Sequence, residues 1–232
     1  AVKTNIFGCM NLIDVAIDRN ISKIVALSTD KASNPINLYG ATKLAADKLF
    51  TASNAYSGYH NTKFSVVRYG NVMGSRGSII PFFKEQSLSN VFTLTDTRMT
   101  RFMMTLEQAV RLVWLALDEM HGGEMYVVKA PSMKVRDIIK AFSKKPKVKI
   151  IGIRPGEKMH EEMITEADSQ TTVDRGKYYA ILPQREEYSD EIEKNKALLT
   201  GPYNSGTNTD FLTKEEIRTL IKENVDPGFE PV

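Results

Sequence analysis

Apolar residues recur along this chain in two patterns. At helical spacing they predict amphipathic helices, and in short runs bounded by turn residues they predict buried strands. We predict helices at about 6–17, 39–55, 79–88, 105–119, 134–142 and from 213. We predict strands at about 23–28, 64–68, 91–95, 100–104, 124–129, 147–153 and 177–182. This alternation is typical of an α/β fold with a parallel sheet, and the stretch from about 184 to 210 is expected to be a loop.

A polar cluster follows one of the apolar runs. The run Ile24–Leu27 predicts a strand, and Ser-Thr-Asp-Lys comes directly after it over 28–31. Open α/β sheets bind their ligands at the carboxyl ends of strands. Tyr39 and Lys43 lie four residues apart, on one face of the next predicted helix. A Lys ammonium in that position can lower the pKa of the phenol, so the pattern indicates an enzyme that uses Tyr39 as an acid or base.

Composition narrows the class of protein. The 232 residues are 42% hydrophobic and 25% charged, which is ordinary for a globular protein. The net charge of +3 comes from interspersed residues, so nucleic-acid binding is not indicated. The single cysteine, Cys9, rules out an internal disulfide and fits a reducing compartment, so we expect a cytoplasmic protein. No apolar run approaches the ~20 residues of a membrane span, and no His and Cys spacing indicates a metal site.

The polar cluster and its flanks resemble a known family. The chain reads Ala-Leu-Ser-Thr-Asp-Lys-Ala over 26–32 and Asn-Pro-Ile-Asn-Leu-Tyr-Gly-Ala-Thr-Lys over 34–43. This is similar to the extended short-chain dehydrogenase/reductases, and within them to the inverting UDP-N-acetylglucosamine 4,6-dehydratases that open pseudaminic acid biosynthesis. Strings at 66–72, 99–102 and 151–158 resemble the same family.

The resemblance implies a fold and a division of the chain. We expect the C-terminal part of a Rossmann-type doubly wound parallel sheet, with a smaller α/β substrate-binding domain. Residues 1–130 would be the remainder of the dinucleotide-binding domain, with interleaved substrate segments at about 71–100, and residues 131–232 would be mostly substrate-binding region and C-terminal tail. The sequence has no Gly-x-Gly-x-x-Gly turn, so we expect that turn upstream of Ala1 in a longer enzyme.

The resemblance also implies a reaction and its catalytic residues. A 4,6-dehydratase oxidises C4 of the sugar, loses water across C5 and C6, and returns the hydride to C6. Tyr39 would be the base for the C4 hydroxyl, with Lys43 beside it. Asp30 would be the acid for the leaving hydroxyl, and Lys31 the base at C5. Retaining members of the family carry Glu where this chain has Lys31, so the resemblance implies an inverted UDP-4-keto-6-deoxy-L-arabino-hexose.

Binding residues are implied by position in the family. The cofactor would be NADP, with NAD not excluded, and the substrate UDP-N-acetylglucosamine; a homo-oligomer is expected. The implied cofactor contacts are Ser28, Thr29, Tyr39, Lys43, Val72, Met73, Gly74, Ser75 and Arg76. The implied substrate contacts are Lys31, Asn71, Ile79, Arg154 and Glu157, with Arg154 on phosphate and Glu157 on a ribose hydroxyl.

Two other functions stay open. A nucleotide-sugar 4-epimerase would need Tyr39 and Lys43 but neither Asp30 nor Lys31 as catalysts. An inactive fragment could bind a nucleotide sugar without turnover. Arg101 is either a phosphate partner or a structural ion pair, and Trp114 is expected to pack in the core.

Overall fold

The computed structural model describes residues 1–57, 60–195 and 201–232. They form two compact units, each assembled from three stretches of chain. Unit 1 comprises Ala1–Tyr69, Ala109–Lys129 and Glu162–Tyr203. Unit 2 comprises Gly70–Gln108, Ala130–Glu161 and Asn204–Val232.

Helices and strands alternate along the chain, as predicted. The helices are α1 (Gly8–Asp18), α2 (Leu38–Ala52), α3 (Ile79–Ser87), α4 (Leu106–Glu119), α5 (Val135–Phe142), α6 (Glu166–Ser169), α7 (Ser189–Asn195) and α8 (Lys214–Asn224). The strands are β1 (Lys23–Thr29), β2 (Lys63–Tyr69), β3 (Asn71–Val72), β4 (Val91–Leu94), β5 (Thr100–Met104), β6 (Met125–Val128), β7 (Ser132–Lys134), β8 (Lys147–Ile150), β9 (Glu162–Ile164), β10 (Thr172–Asp174), β11 (Tyr178–Ile181) and β12 (Tyr203–Asn204). A π-helical turn, Lys3–Phe7, precedes α1, and 3-10 turns cover Asp30–Ala32, Ser53–Ala55 and Glu186–Tyr188.

Unit 1 is built around a five-stranded sheet of order β1-β2-β6-β11-β10. The first three strands are parallel, and β11 and β10 continue the sheet in the antiparallel sense. Thr29 pairs with Tyr69, so the carboxyl ends of β1 and β2 lie at the same edge. The polar cluster after β1 therefore lies where a parallel sheet presents ligand-binding residues.

The sequence predicts a boundary near residue 130, but the contacts group residues 162–203 with unit 1. The reason is strand pairing, because Tyr179 in β11 lies opposite Val127 in β6. Part of the predicted loop at 184–210 is also helical, since α7 begins at Ser189. Residues 196–200 of that stretch lie outside the described part of the chain.

Unit 2 has its own hydrophobic core beneath α3, α5 and α8. A three-stranded sheet of order β3-β5-β7 and the parallel pair β4-β8 border it. The ring of Phe83 makes edge contacts with Phe92 and Phe142, and Phe142 does the same with Phe229. Met103 is 2% exposed within this cluster. All the residues of this cluster belong to unit 2, so unit 2 has a hydrophobic core of its own.

The prediction for Trp114 is wrong, because 64% of its surface is exposed. Helix α4 carries apolar residues on two stripes. Ala109, Leu112 and Ala116 form the buried stripe, whereas Trp114 belongs to the exposed one together with Val110. Apolar periodicity alone does not tell which of two such stripes faces the core.

Capping boxes begin two of the helices. Thr105 and Gln108 exchange backbone and side-chain hydrogen bonds before α4, and Thr213 and Glu216 do so at α8. Within the described residues, no helix combines the length and the apolarity needed to cross a membrane.

A buried carboxylate ties unit 1 together on the side of β2. Glu124 is 2% exposed. It accepts hydrogen bonds from the His121 and Gly122 amides at 2.7 and 2.8 Å and from the Ser65 and Tyr188 hydroxyls at 2.8 Å each. Burial by itself would raise the pKa of Glu124, but the bonds from His121, Ser65 and Gly122 bring that pKa below its usual value. The ionised form is therefore the one that the fold stabilises.

We predict that Glu124→Gln lowers the free energy of unfolding by about 2–3 kcal/mol at neutral pH, because the new NH₂ group faces existing donors. A carboxyl with a depressed pKa stabilises the fold above its unfolded pKa, and that contribution is lost as pH falls through the folded pKa. The difference in the free energy of unfolding between the variant and the parent should therefore shrink below about pH 4.5, the ordinary pKa of Glu. Urea unfolding at several pH values measures it. The exposed Glu85→Gln is the control, and equal urea midpoints for both variants would contradict the assignment.

Candidate functional site

The predicted acid and base are in direct contact. Asp30 and Lys31 form the 3-10 turn that follows β1. The Lys31 Nζ donates to the two Asp30 oxygens at 3.1 and 3.4 Å, and the Thr29 hydroxyl donates to Asp30 Oδ1 at 2.9 Å. The Asp30 side chain is 2% exposed, whereas that of Lys31 is 43% exposed. The pair thus has a buried carboxyl and an amine that reaches the surface.

Gly40 allows this turn to lie against α2. A Cβ built on Gly40 would be 2.2 Å from the carbonyl oxygen of Lys31 and 3.0 Å from the Pro35 side chain. Asn37 caps the helix by accepting a hydrogen bond from the Gly40 amide at 2.9 Å. The backbone that carries the acid and base is therefore packed against the helical turn that carries Tyr39, and only glycine leaves room for it.

Tyr39 and Lys43 follow on the first two turns of α2. Tyr39 is 47% exposed. The Lys43 Nζ donates to the carbonyl oxygen of Leu27, in β1, at 2.6 Å, which ties the helix to the strand that precedes the polar cluster. Burial and the nearby Tyr39 raise the pKa of Tyr69, at the end of β2. Within unit 1, the structure thus brings Tyr39 and Lys43 to the same edge as the Asp30–Lys31 pair.

Ser28, a predicted cofactor contact, turns its side chain inward. It is 3% exposed, and its hydroxyl donates to Asp47 at 2.7 Å. The guanidinium of Arg68 contacts Asp47 and Asp168 at 3.3 Å each and donates to the Met163 carbonyl at 2.9 Å. Burial raises the pKa of Asp47, although Arg68 and Ser28 oppose this. Ser28, Asp47, Arg68, Met163 and Asp168 form a set of polar contacts, hereafter the Arg68 cluster. All of them are buried except Asp168, whose side chain is 21% exposed.

The other predicted cofactor contacts belong to unit 2. They form the loop over 72–76, which begins in β3. Met73 is only 6% exposed and packs in the core of unit 2. Gly74 has φ of 75°, in the left-handed region that favours glycine. Arg76 is exposed, while Ile79, a predicted substrate contact, is partly buried against the core.

The amide of Asn71 is held by a buried carboxylate. Its Nδ2 donates to the two oxygens of Glu161 at 2.7 and 2.8 Å and to the Phe102 carbonyl at 3.2 Å. Because an ionised carboxylate only accepts hydrogen bonds, this contact fixes which end of the amide is the NH₂ group. Donation from Asn71 to the substrate, as the resemblance implies, would require the amide to leave Glu161.

Arg154 and Glu157 lie at the two ends of a tight turn. The Glu157 amide donates to the Arg154 carbonyl at 3.1 Å, and Gly156 has φ of 81°. With Pro155 before that glycine, the sequence and geometry are those of a type II turn. Glu157 also accepts a hydrogen bond from the Thr95 hydroxyl at 3.3 Å. The turn brings an exposed guanidinium and a carboxylate to the same loop of unit 2.

Arg101 is a structural ion pair. It contacts Glu161 at 3.4 Å and Glu157 at 3.7 Å, and its NH1 donates to the Thr100 and Met159 carbonyls. Its side chain is 13% exposed. Of the two roles that the sequence leaves open, the contacts favour the structural one.

Sequence reasoning missed the carboxylates that orient predicted site residues within each unit. Asp47 and Glu161 orient Ser28 and Asn71, and Glu162 accepts a hydrogen bond from Asn34 at 2.7 Å. These partners are 19 to 128 residues apart in the chain, so no local pattern reveals them. In the described ranges, no group of three or more His, Cys, Asp or Glu side chains is arranged to hold a metal ion.

Comparison with known proteins identifies the family. The described strands and helices form a Rossmann-type α/β fold. Residues 1–183 match the polysaccharide biosynthesis protein family, and the chain belongs to that family.

Three individual proteins are similar to this chain over most of its length. The UDP-N-acetylglucosamine 4,6-dehydratase (inverting) of Campylobacter jejuni serotype O:23/36 is 46% identical, over 98% of this chain and 71% of that protein. The UDP-glucose 4-epimerase of Rickettsia canadensis is 38% identical, over 95% of this chain and 67% of that one. The X-ray structure of Pen from Bacillus thuringiensis has a TM-score of 0.84 at 38% identity, covering 96% of this chain and 68% of that one.

We predict that Gly40→Ala destabilises the protein, although alanine is the better helix former by about 1 kcal/mol. The added Cβ would overlap the Lys31 carbonyl, so the backbone must shift. Gly8→Ala is the matched control, because its Cβ would meet only the Lys3 carbonyl at an ordinary 3.8 Å. Thermal unfolding should show a lower Tm for Gly40→Ala and an unchanged or higher one for Gly8→Ala. A higher Tm in both would mean that the close approach at Gly40 imposes no constraint.

Proposed function

We propose that this chain carries the catalytic and substrate-binding residues of a UDP-N-acetylglucosamine 4,6-dehydratase that inverts C5. The observation that carries the proposal is the 3.1 Å contact between Asp30 and Lys31, on backbone that lies against the turn of Tyr39. Similarity to the Campylobacter dehydratase over nearly the whole chain supports it. The product would be a UDP-4-keto-6-deoxy-L-arabino-hexose, and the enzyme a hydro-lyase.

The reaction needs four proton transfers, and residues of unit 1 suit each of them. Tyr39 takes the proton of the C4 hydroxyl as C4 is oxidised to a ketone. The ketone makes the proton on C5 acidic, and Lys31 removes it. Asp30 gives a proton to the C6 hydroxyl, which leaves as water. Lys31 then returns a proton to C5 from the opposite face, which accounts for the inverted product.

The observed Asp30–Lys31 pair differs from the acid and base that the reaction needs by the position of one proton. Transfer from Lys31 Nζ to Asp30 Oδ1 along their hydrogen bond gives a carboxylic acid and a neutral amine without changing the total charge. A neutral amine is the form in which lysine acts as a base. Because the Lys31 side chain is partly exposed while Asp30 is buried, the base is the member of the pair with the freedom to change faces.

A nicotinamide dinucleotide, NADP with NAD as the alternative, would accept the C4 hydride and return it to C6 when bound. Half-exposed Tyr39 fits a contact with this cofactor. Lys43 also fits, because only one of its three N–H groups is needed for the bond to β1. The exposed end of the loop 72–76 offers further contacts. The side chains of Ser28 and Met73 fit less well, since both are buried.

Residues of unit 2 are suited to the UDP part of the substrate. The exposed Arg154 guanidinium matches the geometry of phosphate oxygens, and Glu157 can accept a hydrogen bond from a ribose hydroxyl. The type II turn keeps these two groups on one loop. Asn71 would join them only by exchanging Glu161 for the ligand.

A nucleotide-sugar 4-epimerase is the second candidate, because the Rickettsia epimerase is 38% identical over 95% of the chain. Mass spectrometry of the product separates the two reactions. Dehydration removes one water from the sugar, whereas epimerisation leaves its mass unchanged. A protein that binds nucleotide sugars without turnover would yield neither product.

Location and assembly are part of the same proposal. Cys9 fits a reducing compartment, so we propose the cytoplasm. The resemblance implies a homo-oligomer, and light scattering of the purified protein tests that assembly.

We predict that Lys31→Ala lowers kcat for dehydration by about 100-fold or more, the usual contribution of a general base. UDP-sugar affinity should change little, since Lys31 is not part of the proposed UDP contacts. Product mass and deuterium uptake from solvent at C5 report the reaction, and calorimetry reports binding, all on the full-length gene product.

Two further variants separate charge from base function in this test. Lys31→Arg keeps the positive charge beside Asp30 but cannot deprotonate, so it should be as inactive as Lys31→Ala. Lys48→Ala, on the exposed face of α2, should be fully active. Normal turnover in Lys31→Arg would remove Lys31 from the role of base.

We predict that Arg154→Ala weakens UDP binding by about 1–3 kcal/mol, the cost of losing a charge-assisted hydrogen bond. Calorimetry with UDP measures the affinity. Arg136→Ala, an exposed arginine on α5, is the control and should bind normally. Equal affinities for the two variants would show that Arg154 does not contact the diphosphate.

A further inference from the structure

We propose that Glu162 is a positioning residue that holds the segment 30–34 in the shape the reaction needs. This inference rests on the proposed function, because that segment carries the proposed acid and base. Glu162 begins β9, which packs against the 3-10 turn Asp30–Ala32 within unit 1. The comparisons assign no role to it, and no sequence pattern marks it.

The segment depends on contacts with its surroundings for its shape. Two of its local hydrogen bonds are long, with the Ser33 amide 3.2 Å from the Asp30 carbonyl and the Lys31 amide 3.4 Å from the Thr29 hydroxyl. Bonds at these distances are at the weak end of the range. A three-residue turn held in this way needs support from neighbouring elements.

Helix α2 and strand β9 supply that support. On the α2 side, Gly40 lets the Lys31 carbonyl pack against the helix. On the β9 side, the Glu162 carboxylate accepts a hydrogen bond from the Asn34 side chain at 2.7 Å and a longer one from the Ser33 hydroxyl at 3.5 Å. A carboxylate forms stronger hydrogen bonds than a neutral acceptor does, so Glu162 is a firm contact at this end of the segment.

Asn34 has a backbone conformation that costs some energy to hold. Its φ is 46°, in the left-handed region, which asparagine adopts more readily than other residues with a side chain but less readily than an ordinary conformation. The bond to Glu162 fixes Asn34 there, directly before Pro35. If the anchor is lost, Asn34 can return to an ordinary conformation, and the turn with Asp30 and Lys31 moves with it.

The first experiment follows Glu162→Ala in the full-length gene product. Hydrogen exchange of the amides of residues 31–34 should become about tenfold faster as the segment opens more often. We expect kcat for UDP-N-acetylglucosamine to fall by about 100-fold, the effect of a small misplacement of catalytic groups. KM and the affinity for UDP should stay within about twofold, because no proposed UDP contact is altered. Glu166→Ala, which removes an exposed carboxylate from the next helix, is the control and should change none of these values.

A reciprocal exchange tests the contact itself. Asn34→Asp places two carboxylates against each other and should reproduce the loss. Asn34→Asp combined with Glu162→Gln restores a donor and an acceptor with their positions reversed and leaves the net charge of the pair unchanged. This double variant should recover the slow hydrogen exchange of the parent protein and most of its kcat. These two variants decide whether the contact between Asn34 and Glu162 holds the segment, even if Glu162→Ala fails to fold.

Either of two results would overturn the proposal. One is hydrogen exchange of residues 31–34 and a kcat in Glu162→Ala that both equal those of the parent protein. The other is a double variant whose kcat stays as low as that of Asn34→Asp. Glu162 would then act by something other than its contact with Asn34. If the parent protein performs no dehydration, the proposed function fails, and the exchange rates of the same variants still decide whether Glu162 holds the segment.

Discussion

The guanidinium of Arg68 carries a positive charge into the interior of unit 1, where an unpaired ion would cost several kcal/mol. Two carboxylates and a backbone carbonyl compensate for it, and through them Arg68 joins β2 to α2, β9 and α6. Asp47 extends the cluster to Ser28 near the end of β1. Because α2 also carries Tyr39 and Lys43, the proposed catalytic groups depend for their position on ion pairs that have no need to touch a ligand.

The Arg68 cluster contains more negative than positive formal charge. One guanidinium faces the two carboxylates of Asp47 and Asp168, so the cluster as a whole tends towards a negative charge. Burial disfavours the ionised form of Asp47 and raises its pKa, and the contacts with Arg68 and Ser28 oppose that rise. The planar fork of Arg68 serves three acceptors on different elements at once, and a lysine ammonium offers no comparable geometry. Its Nε has no partner among the described residues, so the cluster is satisfied only in part.

The sequence predicted features that depend on neighbouring residues, and the structure confirmed them. The strand before Ser28, the helix with Tyr39 and Lys43, and the helix from residue 213 each follow from local spacing. The sequence could not reveal which stripe of α4 is buried, so Trp114 was misjudged. Nor could it pair Asn34 with Glu162, or Asn71 with Glu161, because strand order brings those residues together across a long stretch of chain. The roles assigned to the site residues by resemblance remain predictions.

The turn from Arg154 to Glu157 has a consequence for binding entropy. Pro155 has a fixed φ, and Gly156 adopts its left-handed conformation without strain, so the turn is formed before any ligand arrives. A flexible loop would lose backbone freedom when it closes around an anion, and that loss would reduce the affinity. In the proposed contact with the diphosphate, only the long side chain of Arg154 has conformational freedom left to lose. The rigid turn therefore lets a single surface arginine contribute more of its interaction energy to affinity than the same residue would on a mobile loop.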